Sequence, residues 1–232
     1  MSTRKSPDRF TSIRFPYVRF SFRRSTARGG IHAALTGIVM LLASVMFAAG
    51  NPSSAADAPR DIVAAMQGAL MDVWKQSEEL SAEQRYERLE PVLREAFNFG
   101  RMIEVAAGPA WSRASPEEQA ELREAFTRYS VATYASRFSE YSGQRFEITE
   151  QRPAPRDLTL VETIIVKPSG EAVPVTYVVG SEAGTPQIVD VIFKGVSEMA
   201  VRRSDYRNTL KSSGPRGLAQ RLEQQADDLL QE

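Results

Sequence analysis

The spacing of apolar residues changes near Gly143 and changes back near residue 197. Before Gly143 these residues recur at steps of three and four, which is typical of amphipathic helices. Between residues 146 and 193 they alternate and include many β-branched side chains, which predicts antiparallel strands. Two helices, over 197–212 and 215–230, are expected to end the chain. This order predicts an α+β fold, with one antiparallel sheet of four to five strands packed against several helices.

Two patterns in the first half predict where helices begin. Ser81 to Gln84 and Ser115 to Glu118 each have a serine followed three residues later by Gln or Glu, the pattern of a capping box. The apolar residues that follow the first box predict a helix that continues to Gly100, and a short helix is expected over 102–111. The aromatic-rich helix predicted over 116–141 is expected to cover one face of the sheet.

The N-terminal segment has the pattern of an export signal. Residues 1–30 contain eight basic side chains and one acid, and an apolar run, Ile31 to Ala49, is followed by small residues. We therefore expect a signal peptide over 1–55 and a single domain over 56–232. An apolar run of about 19 residues is also long enough to span a bilayer, so a retained membrane anchor is the alternative.

Charge and residue type exclude several classes of function. The chain has 29 basic and 29 acidic residues, and removal of residues 1–50 leaves 21 and 28, a net charge near −7. Such a surface opposes nucleic-acid binding, which needs a basic face. The single histidine, His32, lies in the predicted leader and the chain has no cysteine. We therefore expect no catalytic residue, metal site or cofactor in the exported protein.

Asp190 is the one carboxylate that suggests an enzymatic alternative. It interrupts the apolar run 188–193, where a buried carboxylate could act as a general acid or base. A surface position on an alternating strand explains the same residue without catalysis. The two alternatives differ in whether Asp190 is buried in an apolar cleft.

Several segments together resemble one protein family. They are Tyr86 to Phe99, Met102 to Trp111, Ser115 to Gln119, Tyr134 to Gly143 and Asp190 to Ser197, followed by Arg203 and Tyr206. In order and spacing they resemble the MlaC-type, toluene-tolerance family of periplasmic phospholipid-binding proteins, over about residues 60 to 230. The stretch Glu198 to Arg203 resembles the hopanoid-associated, HpnM-like branch of that family.

The resemblance implies a fold, a location and a function. It implies an α+β domain similar to nuclear transport factor 2, with a lipid cavity between the sheet and the helices and no catalytic site. A periplasmic carrier of this kind shuttles phospholipid or hopanoid between an inner-membrane ABC transporter with an MCE-domain protein and an outer-membrane lipoprotein complex. The alternative is a hopanoid-associated lipid-binding or assembly factor that an uncleaved N-terminal anchor retains at the inner membrane.

Combined with the apolar pattern, the resemblance suggests residues for the cavity wall. They are Phe97, Phe99, Met102, Ile103, Phe126, Tyr129, Val175, Tyr177, Ile192, Val196 and Met199. Arg202 and Arg203 are expected to contact a lipid head group or a protein partner, unless they are simply exposed or ion-paired. Replacement of Val175 or Ile192 by Trp is expected to block lipid binding without unfolding the protein.

Overall fold

A computed structural model describes residues 57–182 and 184–231, and in these residues it has five α-helices, one 3₁₀ helix and a five-stranded sheet. The helices are α1 Ala58–Lys75, α2 Ala82–Ala96, α3 Phe99–Ala107, the 3₁₀ helix Gly108–Arg113, α4 Pro116–Arg137 and α5 Glu198–Leu230. The strands are β1 Arg145–Ala154, β2 Leu158–Val166, β3 Ala172–Glu182, β4 Thr185–Phe193 and β5 Val196–Ser197. Each strand is antiparallel to the next, in the order β1-β2-β3-β4-β5. The predicted α+β fold is confirmed.

Both predicted capping boxes are present. The Ser81 hydroxyl accepts from the Gln84 backbone N–H at 3.2 Å, and the Gln84 side chain accepts from the Ser81 N–H at 3.0 Å. Ser115 and Glu118 make the same reciprocal pair at 3.2 and 2.9 Å. Each box satisfies backbone donors that a helix N-terminus would otherwise leave unpaired, which stabilises the helix by about 1 kcal/mol.

α2 ends earlier than predicted, because the residue that follows it pairs with a strand of the sheet. Phe97 is extended, with φ −107° and ψ 137°, and forms a parallel β-bridge with Ile188 of β4. The Asn98 N–H donates to the Ile188 carbonyl at 2.9 Å, and the Asn98 side chain caps α3 by accepting from the Arg101 N–H at 2.9 Å. The predicted continuation to Gly100 is therefore wrong, and Gly100 lies in the first turn of α3.

One other helix boundary differs from the prediction, and the predicted break between the two C-terminal helices is confirmed. α4 ends at Arg137 rather than at the predicted residue 141, and Phe138 forms its C-cap. The predicted pair of C-terminal helices corresponds to the two parts of α5, which is interrupted at Gly214, where φ is 66° and ψ is −170°. Gly214 fits this position because a left-handed φ strains residues that have a Cβ atom.

Strand register defines two faces of the sheet, because directly paired residues share a face and neighbours along a strand alternate. The pairs Val161–Tyr177 and Thr163–Val175 lie on the buried inner face. Glu162, Thr176 and Ile192 are aligned on the opposite, outer face.

A β-bulge at Val189 inverts the alternation within β4. Val179 pairs with Ile188, whereas the preceding Val178 pairs with Asp190, so Val189 is an extra residue. Ile188 therefore lies on the inner face, but Asp190 and Ile192 lie on the outer face. Val191 and Phe193 take the inner positions, opposite Tyr177 and Val175.

The helix that packs most directly on the strands is α1, which contacts β1, β2 and β4. Its Trp74 ring lies 6.3 Å from that of Phe146 on β1. α4 packs mainly against α5 and α2 and reaches the sheet through aromatic side chains, such as Phe138, whose ring lies 6.1 Å from Phe146. The sheet is therefore covered most directly by α1, whereas the sequence predicted the helix of 116–141 in this position.

The predicted signal peptide over 1–55, and the alternative of a retained anchor, lie outside the described residues. Within residues 57–182 and 184–231, no helix combines the length and the apolar composition needed to cross a bilayer.

Candidate functional site

A chain of aromatic rings runs from α4 through the junction of α2 and α3 to β1. Successive centroids lie 5.3 to 6.1 Å apart, within the range of favourable aromatic pairs. In order, the rings are Phe126, Phe99, Phe97, Tyr134, Phe138 and Phe146. Phe97 and Phe99 are nearly parallel, at 8°, and Trp74 packs edge-on against Phe138 at 4.7 Å. This chain of rings, called the aromatic chain below, lies between the helices and the inner face of the sheet.

Two tyrosine side chains lie in the same interior. Tyr177 of β3 is 3% exposed, and burial raises the pKa of its phenol to about 12, although a hydrogen bond with Gln67 lowers it in part. Burial also raises the pKa of Tyr134 on α4 well above its ordinary value. Both phenols are therefore neutral at physiological pH, and the interior stays uncharged on this side.

A buried guanidinium occupies the space between α4 and the start of α5. The Arg202 side chain is 14% exposed, and its guanidinium carbon lies 4.7 Å from the ring centroid of Tyr129. It donates to the Tyr206 hydroxyl at 3.1 Å and pairs with Glu198 at 3.4 Å. Burial lowers the pKa of Arg202, but Tyr206, Tyr129 and Glu198 outweigh it, so the pKa is raised and the charge is permanent.

The next residue, Arg203, points away from this cluster. It is exposed, and its guanidinium lies against Gly108, where an added Cβ would come within 3.3 Å of the Arg203 Nη2 atom. The two arginines predicted to act together therefore belong to different surroundings. Arg202 is ion-paired inside the fold, and Arg203 faces a groove on the surface.

The structure brings most of the predicted wall residues together and separates two of them. Those that are buried are Phe97, Phe99, Met102, Ile103, Phe126, Val175, Tyr177 and Met199, and half-buried Tyr129 lies beside Arg202. Ile192 lies on the outer face because of the bulge, and half-buried Val196 lies in the short strand β5. Because Ile192 lies on the outer face, its replacement by Trp is now expected to leave lipid binding unchanged, whereas the sequence predicted that it would block binding.

Asp190 also lies on the outer face, and its carboxylate joins β4 to α5. One oxygen accepts from the N–H groups of Val191 and Met199 at 2.7 and 3.1 Å, and the other accepts from the Ser197 hydroxyl at 2.6 Å. Ser197 in turn caps α5 by accepting from the Ala200 N–H at 3.1 Å. These three hydrogen bonds give Asp190 a structural role, which explains a half-buried carboxylate at this position without catalysis.

A cavity of about 530 Å³ opens beside Phe97 and Phe99 at the surface. Its wall is polar and contains arginine and glutamate side chains from α2, α3 and α4. Arg94 pairs with Glu124, but Arg123 forms no ion pair with a described carboxylate and lies 5.6 Å above the ring of Trp111. We call this cavity the aromatic-floored pocket.

A model of the MlaC protein family matches residues 64–224, which is more than half of the chain. The chain belongs to the MlaC family. A structure with the same fold is that of a phospholipid-binding protein from Ralstonia solanacearum, in complex with a phospholipid. It is 20% identical, covers 76% of this chain and 97% of its own, and has a TM-score of 0.60. The family resemblance inferred from the sequence is confirmed.

In this member of the MlaC family, several residues of the interior are absent from the predicted cavity wall. They include Trp74, Tyr134, Phe138, Phe146, Val161, Thr163, Val191 and Phe193. The alternation in β2 and the aromatic spacing in α4 were available signals for part of this set. Val191 and Phe193 had no such signal, because the bulge that turns them inward is not visible in the apolar pattern.

Proposed function

We propose that this protein is a periplasmic carrier of phospholipid. It holds the lipid tails against the aromatic chain, between α3, α4 and the inner face of the sheet. The observation that carries the proposal is this continuous set of rings, which ends at Phe146, the partner of Ile165 on the inner face of the sheet. Membership of the MlaC family and the fold shared with the Ralstonia phospholipid-binding protein support it.

The energetics explain why such a carrier is needed. A phospholipid with about 30 tail methylenes is disfavoured in water by roughly 24 kcal/mol, at about 0.8 kcal/mol for each methylene. Transfer between membranes through water is therefore very slow without a protein that offers comparable apolar contact. The rings of Phe97 and Phe99, with Val175 and Tyr177, contribute such contact, and the ring of Phe126 extends it toward the Arg202 guanidinium, which lies 5.9 Å from its centroid.

The aromatic-floored pocket is the entrance in this proposal. Phe97 and Phe99 form its base and also belong to the aromatic chain, so it connects the surface with the interior. Arg123 then contacts the phosphate of the head group, because no described carboxylate forms an ion pair with it. Arg202 has a structural role in this proposal, because its donors already contact Glu198 and Tyr206.

Membership of the MlaC family supports a wider route. We propose that the N-terminal segment directs export to the periplasm, and that the domain receives or delivers lipid at an inner-membrane ABC transporter with an MCE-domain protein and at an outer-membrane lipoprotein complex. The net negative charge of the exported part opposes loose adsorption to anionic membranes, so delivery depends on protein partners.

Replacement of Val175 by Trp tests the position of the tails. The added ring would fill the inner face beside Thr163, and we expect the purified protein to lose nearly all co-purifying lipid. Organic extraction and mass spectrometry measure the bound lipid, and a thermal unfolding curve checks the fold.

Two controls use the outer face of the same sheet. Thr176→Trp adds the same ring one residue further along β3, and Ile192→Trp adds it on β4. Both should keep a normal lipid load. A normal lipid load in folded Val175→Trp would contradict the proposed position of the tails. Extraction of a hopanoid instead of a phospholipid would show that the ligand is a hopanoid.

A further inference from the structure

A second cavity of about 530 Å³ lies between the 3₁₀ helix and the first part of α5, and its charged residues all have the same sign. They are Arg113, Arg203, Arg207 and Lys211, and no carboxylate lines the cavity. We call this cavity the basic groove. It stands out because residues 51–232 carry more acidic than basic side chains.

The charges of the basic groove are not neutralised within the fold. None of the four cations forms an ion pair within 4.0 Å of a described carboxylate. Other basic residues of α5 do form such pairs, among them Arg202 with Glu198 at 3.4 Å and Arg221 with Asp205 at 3.0 Å. The surplus of positive charge is therefore a local property of the groove.

The cations form a regular row. Arg203, Arg207 and Lys211 are four residues apart on α5, which places successive Cα atoms about 6 Å apart along the helix axis. Arg113 lies at the end of the 3₁₀ helix, on the other side of the groove.

The floor between these cations is small and apolar. Ala106, Pro109 and Leu210 contribute to it, and Gly108, with φ 55°, lets Arg203 lie directly on the backbone. An added Cβ at Gly108 would come within 3.3 Å of the Arg203 Nη2 atom. The groove therefore combines a row of positive charges with a shallow apolar contact surface.

We propose that the basic groove binds an acidic segment of a partner protein. Carboxylates at every fourth residue of a helix, or at every second residue of a strand, are about 6 to 7 Å apart and match the row on α5. A concave groove with an apolar floor accepts a protruding segment better than a flat lipid surface, and the acidic remainder of the domain opposes an anionic membrane. The proposal does not depend on where the lipid tails bind.

The test uses a synthetic helical peptide with Glu at every fourth position and Leu on the same face. Fluorescence anisotropy measures its binding to the full-length protein, and Arg207→Glu/Lys211→Glu should weaken binding by about tenfold or more, because two attractive contacts become repulsive. The control, Arg60→Glu/Arg156→Glu, makes the same change in net charge at exposed residues outside the groove, and should stay within about twofold of the unchanged protein.

Three results would overturn the proposal: no binding of the peptide, equal loss in both variants, or equal binding of a peptide with Lys in place of Glu. Binding to phosphatidylglycerol vesicles that the groove variant loses, without peptide binding, would assign the groove to a membrane surface instead. The lipid load of the groove variant should be normal, so failure here is separate from failure of the proposed lipid site.

Discussion

Arg202 and Arg203 are neighbours in the sequence, but their surroundings are opposite. The Arg202 guanidinium lies between Tyr129 and Tyr206 and is paired with Glu198, whereas Arg203 is exposed at the basic groove. Successive residues of a helix point about 100° apart, so one faces the interior and the next faces solvent. The charge of Arg202 is therefore paired inside the fold, whereas the charge of Arg203 is exposed and available for binding.

The largest expected effect is on stability at Arg202. Replacement of Arg202 by Ala leaves Glu198 with Arg137 alone, at 3.7 Å, and leaves the Tyr206 hydroxyl without its donor. We expect a loss of about 3 kcal/mol in the free energy of unfolding, measured by urea titration. Arg203→Ala should change it by less than about 0.5 kcal/mol, since its side chain is exposed.

The variant Arg202→Lys separates the effect of the positive charge from that of the planar guanidinium. Lysine keeps the positive charge but loses the planar group that stacks on Tyr129 and reaches Tyr206 and Glu198 together. Its stability should fall between that of the unchanged protein and that of Arg202→Ala. Equal stability of the two alanine variants would show that the buried cluster does not distinguish these arginines.

The second prediction concerns alkaline pH. Burial raises the pKa of Tyr177 and of Tyr206 to about 12, with the Arg202 charge opposing the shift at Tyr206. The folded protein therefore holds phenolic protons that the unfolded chain releases near pH 10. This contribution to stability is complete below pH 10 and is lost as the pH rises through about 12.

Urea unfolding at several pH values between 8 and 12 measures this decline. Tyr206→Phe removes one of these titrating groups, so its stability should fall less steeply with pH than that of the unchanged protein. Tyr177→Phe provides the same comparison on β3. An identical pH dependence in all three proteins would contradict the burial of these phenols.

The same contrast between interior and surface explains what the sequence could predict. Helix starts were predictable because Ser81 and Ser115 act on donors three residues away, which is local chemistry. The end of α2 was not, because Phe97 leaves the helix to pair with Ile188, far along the chain. Asn98, a favoured N-cap residue, was a local signal for the start of α3.

The wall of the proposed lipid site was predictable to a similar extent. Alternation placed Val175 and Tyr177 on one face, and the register confirms that they share it. Ile192 was predicted as part of the same wall, but with the extra residue Val189 it lies on the outer face. A bulge depends on pairing with the neighbouring strand, so a single-strand pattern does not reveal it.

The smallest expected effect is at Arg123, which, like the arginines of the basic groove, forms no ion pair with a described carboxylate. If it meets a lipid phosphate, Arg123→Ala should weaken binding of an anionic phospholipid by about two- to fivefold, in line with an exposed charge contact of up to about 1 kcal/mol. Displacement of a fluorescent lipid measures the affinity. The free energy of unfolding should change by less than about 0.5 kcal/mol, because Arg123 has no ion pair to lose.

The matched control for Arg123 is Arg88→Ala. Arg88 is exposed on α2, lies outside the aromatic-floored pocket, and donates only to the Gln76 side chain, at 2.7 Å. Its removal makes the same change in charge and should leave lipid affinity unchanged. If the two variants bind equally well, the head group lies away from Arg123. Weaker binding of Arg123→Ala to a zwitterionic lipid as well would point to the phosphate itself, since that group is common to both lipids.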